Sequence, residues 1–120
     1  MLLEELQVYQ LSMTLSDQIW DKVTTWDYFT RDTIGKQLVR AADSISANIS
    51  EGHGRYHYKE NINFCYYSRG SLQETKTWIT KALKRNLLSE EDYNSLYQQL
   101  NTLSVKLNNY IKSIGRSAQE

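Results

Sequence analysis

Proline is missing altogether from these 120 residues, where average usage near 5% would place about six. It is the residue that helix interiors reject most strongly, because it lacks an N–H and its ring clashes with the preceding turn. Its absence leaves long, uninterrupted helices as the leading expectation. Cysteine is almost missing too. Cys65 stands alone, so no intramolecular disulfide can form. No apolar run approaches the roughly 18 residues of a membrane span. Met1-Leu2-Leu3-Glu4-Glu5 lacks the basic and apolar segments of a secretory signal. These absences predict a cytoplasmic protein in a reducing compartment, without a membrane partner. Net charge is absent as well, since 14 Lys and Arg balance 14 Asp and Glu. That balance argues against the strong non-specific hold on nucleic acid that basic domains gain from counterion release.

What is present is the composition of an ordinary globule, 40% apolar and 23% charged, in a length that makes one domain, residues 1–120. Tyr93, Leu96, Leu100, Leu103, Leu107, Tyr110 and Ile114 alternate spacings of three and four, a helical seam. Ser89 offers its cap and Gly115 its stop. Leu2, Leu6, Tyr9, Met13, Ser16, Trp20 and Val23 repeat the spacing near the N-terminus, widened by Leu15, Ile19 and Trp26. A third stripe, Ile34, Leu38, Ala41, Ala42, Ile45 and Ile49, ends at Glu51-Gly52-His53-Gly54. Its face is small-sided, with Ala41, Ala42, Ser44, Ser46 and Ala47. A fourth runs from Tyr58 through Ile62, Cys65, Leu72 and Ile79 to about Asn86, with Gly70 in its middle, where a tight helix crossing would explain it. Helices over about 3–26, 31–51, 58–86 and 89–114, with short connections and no strand pattern, predict an all-α, antiparallel up-down-up-down four-helix bundle. Nine tyrosines and three tryptophans exceed what so small a core needs, and self-association is the natural sink for the surplus.

The charge is unevenly spread. Residues 1–30 carry one base, Lys22, against Glu4, Glu5, Asp17, Asp21 and Asp27, whereas residues 31–88 hold ten bases against five acids.

The run from Gln37 to Arg55 contains Arg40-Ala41-Ala42, Ser44-Ile45, Ala47-Asn48-Ile49, Glu51-Gly52 and Gly54-Arg55. Gly70-Ser71-Leu72 and Glu74 follow at matching separation. Together they resemble the signature of the four-helix-bundle proteins encoded by 23S rRNA intervening sequences, a family related to the accessory variability determinants of diversity-generating retroelements, which assist a reverse transcriptase. Ser68 departs from the usual alanine, and no proline stands at Asp27-Tyr28-Phe29. The resemblance implies a bacterial homopentamer of four-helix bundles without established catalysis, and with RNA, DNA or a reverse transcriptase as partner.

Arg40, Asn48, Glu51, Arg55, Ser71 and Glu74 interrupt the apolar stripes. They are read as a buried Arg-carboxylate network clamping helices two and three, because bidentate pairing is what permits such burial. The alternative is a catalytic Glu51 and Glu74 pair, which no nucleophile or metal ligand accompanies. His53 and His57 are four apart, but Gly54 lies between them and no patterned acid joins them, so neither metal nor cofactor is expected. Cys65, beside Phe64 and Tyr66, reads as a buried inert thiol. Arg55, Tyr56, Tyr58 and Lys59 alternate cations with aromatics that could stack nucleobases. Lys76, Lys81, Lys84 and Arg85 form a second basic cluster. Two functions follow: a non-enzymatic accessory factor for nucleic acid or ribonucleoprotein, or a scaffold that touches only protein.

Overall fold

The computed structural model describes residues 1–119. A 3-10 turn, Leu3–Glu5, leads into α1, Gln7–Val23. A short helical turn, Tyr28–Thr30, and a π-helical turn, Arg31–Gly35, then run directly into α2, Lys36–His53. α3 spans Tyr58–Lys84 and α4 Glu90–Gln119. Among the described residues there is no strand. The four long helices form an antiparallel bundle measuring 51 × 23 × 20 Å, each packed on its neighbour in sequence and α1 closing the ring against α4.

The boundaries have local causes. Asp27 Oδ1 accepts the Thr30 N–H at 2.9 Å, capping the turn that leads towards α2. The bonds from Thr30, with a smaller contribution from the Arg31 charge, hold the Asp27 carboxyl below its ordinary value. α3 ends where Asn86 enters the left-handed region at φ 60°. The Leu87 N–H then reaches the Ala82 carbonyl and the Asn86 N–H the Leu83 carbonyl, a closure usually built on glycine and open to asparagine. The Ser89 hydroxyl accepts the Asp92 N–H at 3.0 Å and starts α4, whose first turn carries Glu90, Glu91 and Asp92, where the helix dipole favours acids. Gly115 does not stop α4, which continues to Gln119. No glycine in the chain takes a positive φ, and one kept in helical geometry costs only about 1 kcal/mol.

The core is one continuous cluster. The α4 seam is inside as its spacing predicts, and so is the α2 stripe from Ile34 to Ile49. On α1 the expected stripe keeps Leu6, Leu15, Ser16, Ile19 and Val23 inside and fails at Leu2, Met13 and Trp20, which are exposed. The buried face of the helix is Val8, Ser12, Leu15, Ser16, Ile19 and Val23. Ser12 and Ser16 can be interior because their hydroxyls donate to the Tyr9 and Met13 carbonyls at 2.9 and 3.0 Å, which removes the cost of an unpartnered polar group. Ser68, fully buried on α3, donates across the bundle to the Ile45 carbonyl of α2 at 2.8 Å. On α2, Ala47 is exposed and Ser44 half-buried, so the small inner face is narrower than expected.

The close helix approach lies at Gly52 instead of Gly70. A Cβ on Gly52 would stand 2.7 Å from Asn61 Oδ1 and 2.9 Å from Phe64 Cβ, whereas Gly70 has nothing within 4 Å. Between α2 and α3, the glycine that packing requires is therefore the one at the mouth of the hairpin.

Candidate functional site

The six residues expected to form a buried clamp do not come together as one network, and Arg55 and Glu51, which do pair, are at the surface. Arg55 Nη2 lies 2.7 Å from Glu51 Oε1 and Arg55 Nη1 3.6 Å from Glu60 Oε2. Both partners of the first pair are well exposed, at 42% and 54%. Glu74, exposed on α3, accepts instead from the Trp78 indole N–H one turn on, at 3.3 Å. Asn48 donates to the Ser44 carbonyl and Ser71 to the Tyr67 carbonyl, each within its own helix. Arg40 is exposed and makes no ion pair among the described residues. The physical reason is cost. Burying an Arg-carboxylate pair must offset a desolvation penalty of several kcal/mol per ion, whereas Glu51 in the last turn of α2 and Arg55 just past its end pair at the surface without it.

Glu51 and Glu74 thus have separate partners. His53 ends α2, and its Nε2–H donates to the Met1 carbonyl at 3.0 Å, tying the N-terminus to the hairpin. His57 is exposed, edge-on to Tyr56 with ring centroids 5.0 Å apart. Among the described residues no group of three His, Cys, Asp or Glu side chains could hold a metal. Cys65 is fully buried, and burial pushes its thiol up to about 11. Tyr110 is likewise raised by burial, with a hydrogen bond from Asn61 opposing the shift.

The two candidate nucleic-acid clusters lie at opposite ends of α3. Tyr58 opens that helix and Lys84 closes it, about 39 Å apart at 1.5 Å per residue. At the first end Tyr56 is 92% exposed, and Tyr58 and Lys59 are also exposed. The Arg55 guanidinium lies over the Phe64 ring at 4.8 Å and that of Arg69 over Tyr66 at the same distance. At the other end Lys81, Lys84 and Arg85 are exposed. Lys76 is set apart from them, bonded to Asn101 Oδ1 at 2.8 Å and standing over the Tyr97 ring at 5.1 Å.

A further concentration of chemistry lies on the outer wall between α1 and α2, and the residue spacing did not reveal it. Trp20, Val23, Arg31, Gly35, Lys36, Val39 and Arg40 line a groove of about 390 Å³ there. Trp20 is 56% exposed. The apolar spacing of α1 assigns Trp20 to the core, and a core assignment hides its neighbours on the next helix.

A family model described as "23S rRNA-intervening sequence protein" matches residues 4–109. Among solved structures, the chain is similar to a protein of unknown function from the S23 ribosomal protein family of Bacteroides thetaiotaomicron VPI-5482. That match has a TM-score of 0.78 at 22% sequence identity, over 88% of this chain and 98% of that one, and at this identity it speaks for the fold. No curated protein matches the chain.

Proposed function

The chain belongs to the 23S rRNA-intervening sequence protein family, and from that premise we propose that it is a non-enzymatic, homopentameric helical bundle serving as an accessory factor to nucleic acid or a ribonucleoprotein in the bacterial cytoplasm. One observation carries the reading: the core closes without Tyr28, Phe29, Tyr56, Tyr58, Tyr66 and Tyr67, all of which remain exposed. A monomer rarely leaves so many large aromatics in water without a use for them. Assembly covers some of them. Others stand beside Arg55 and Lys59, where stacking and phosphate contact suit a flexible strand. A neutral monomer binds weakly by itself, and repetition of its basic ends around a ring raises the avidity. A reverse transcriptase of a diversity-generating retroelement is the protein partner that fits the relationship.

Light scattering tests the assembly. The expected mass is near five times the 14.1 kDa of one chain, and a monomer at micromolar concentration overturns it. Anisotropy of labelled single-stranded RNA and DNA at low and high salt tests the second part, with binding that falls steeply as salt rises. A protein-only scaffold is the alternative, and a specific contact favours it. Arg55 and Arg69 already lie over one face of Phe64 and of Tyr66, which leaves those rings less surface for bases. If neither nucleic acid binds at low salt, that scaffold is the better account.

A further inference from the structure

The α1–α2 groove has an apolar floor of Val23, Gly35 and Val39, the Trp20 indole on one wall, and three cations, Arg31, Lys36 and Arg40, among its lining residues. No acid lines it. We infer that this groove seats a base of a single-stranded nucleic acid against Trp20, with the flanking phosphates held by Arg31, Lys36 and Arg40.

The backbone assembles these cations. Nine residues are about two and a half α-helical turns, so an unbroken α-helix would put Arg31 and Arg40 on opposite faces. The segment Arg31–Gly35 is instead a π-helical turn, which closes with the Lys36 N–H on the Arg31 carbonyl. Its wider turn swings Arg31 round until it lines the same groove as Lys36 and Arg40. Such turns are costly and concentrate at functional sites. Gly35 keeps the floor open. A Cβ there would meet Val23 Cγ1 at 2.8 Å, so α1 and α2 sit close enough to place the indole beside the cations.

The charge pattern fits a polyanion. Asp32 pairs with Lys36 at 3.3 Å at an exposed position, where water and a phosphate compete for the lysine, and Asp27 is turned to cap Thr30, so Arg31 and Arg40 carry most of the positive charge offered to a phosphate. Arg40 has no ion-pair partner among the described residues. Beyond it Asp43 on α2, raised chiefly by burial and then by the charge of Asp17 on α1, ends the acid-free stretch. In the other direction the chain leads to Tyr28 and Phe29, both exposed, which offer faces for the next bases. Cations interleaved with aromatic platforms are the arrangement that holds single strands without reading their sequence. An acidic peptide would satisfy the cations and leave the indole and apolar floor in water. A nucleotide supplies a flat apolar face and a charge one sugar away.

The ligand class rests on the nucleic-acid reading above, and the experiment separates the two. The full chain is titrated with a short fluorescein-labelled oligouridylate at low salt, following both label anisotropy and tryptophan emission. Binding is expected to quench emission. Trp20→Ala removes the quench and weakens binding roughly 5- to 150-fold, the effect of one lost stacked base. Arg40→Glu weakens it and lowers the salt slope, and because this residue is exposed, it decides the matter should the tryptophan variant fail to fold. Polyglutamate is expected to leave emission unchanged. If the oligonucleotide binds while both variants bind like wild type, the groove is wrong and the broader reading stands. If polyglutamate quenches equally, the groove is a site for acidic protein and the inference fails. If the oligonucleotide does not bind at low salt, both fall.

Discussion

Replacing Gly52 by alanine should destabilise the protein, and replacing Gly70 by alanine should stabilise it, although both glycines lie within long helices. At Gly52 the new methyl would sit 2.7 Å from Asn61 Oδ1, 2.9 Å from Phe64 Cβ and 3.0 Å from the Asn61 carbonyl oxygen. The first contact is with a side-chain end, but Asn61 also accepts from the Cys65 thiol at 3.7 Å, a bond that swinging away would break. The other two belong to the α3 backbone or its root, and relief requires α3 to move away from α2. Overpacking of this kind costs about 1–3 kcal/mol, and forced backbone movement argues for the upper half. Alanine regains up to about 1 kcal/mol of helix propensity. The net loss is then about 1–2 kcal/mol. At Gly70 nothing opposes the methyl, and the propensity gain of about 0.5–1 kcal/mol stands alone. Urea and thermal melts at one fixed protein concentration measure both variants, since assembly makes stability concentration-dependent. A Gly52→Ala protein as stable as wild type would refute the close-approach argument. A Gly70→Ala protein that loses stability would show that something packs on the open side of α3.

Three further outcomes follow from the same geometry. Arg55→Ala should cost no more than about 1 kcal/mol in a thermal melt, because its pair with Glu51 is solvent-exposed and such pairs contribute little; a loss of several kcal/mol would mean that assembly buries it. Cys65 should resist a thiol reagent at pH 8 in the native protein and react promptly in denaturant, because its buried thiol is raised to about 11. Since that folded value exceeds the ordinary 9.0, stability should also fall as pH rises from about 9 towards 11, and fast native reaction would contradict the burial. Asp92 is held below its ordinary value of 3.8 chiefly by its bond to Lys22, with Ser89 a smaller cause. The stabilisation is therefore complete above pH 3.8 and lost as pH falls through the lowered value. Lys22→Ala should be less stable than wild type at neutral pH, and the gap should close in acid; a gap independent of pH would remove the ion pair from the explanation.

The parts of the fold that were legible are those where burial and hydropathy agree. On α4, Leu96, Leu100, Leu103 and Leu107 are all apolar and all buried, so the alternation of three and four residues reports the core directly. On α1 the two diverge. Ser12, which the stripe omits, is inside because its hydroxyl bonds within the helix and its small size lets a neighbour approach, while Met13 and Trp20, which the stripe includes, are outside. A pattern weighted by hydropathy follows the large side chains, and so it admits Met13 and Trp20 and passes over Ser12. The two glycines of α2 and α3 carry the same lesson. Helical periodicity cannot tell a glycine required by a neighbour from one facing solvent, because the neighbour belongs to another part of the chain.

The candidate sites were less legible because they depend on how far a helix turns between two residues. Arg55 and Glu51 are one turn apart, and so they pair with each other before either can reach across to Glu74; local geometry beats a distant partner whenever the pair is wet. Arg31 and Arg40 show the opposite case. Counted along an ordinary helix they diverge, and the five-residue π turn brings them together with Lys36. That turn is a property of the backbone between Thr30 and Gly35, where a glycine against Val23 and a threonine bonded to the Phe29 carbonyl at 2.8 Å set the path. Replacing the cations leaves this path intact, whereas filling Gly35 pushes α1 and α2 apart and with them the indole from the arginines. Gly35→Ala should therefore weaken any strand bound at the groove, although it changes no charge and no aromatic ring.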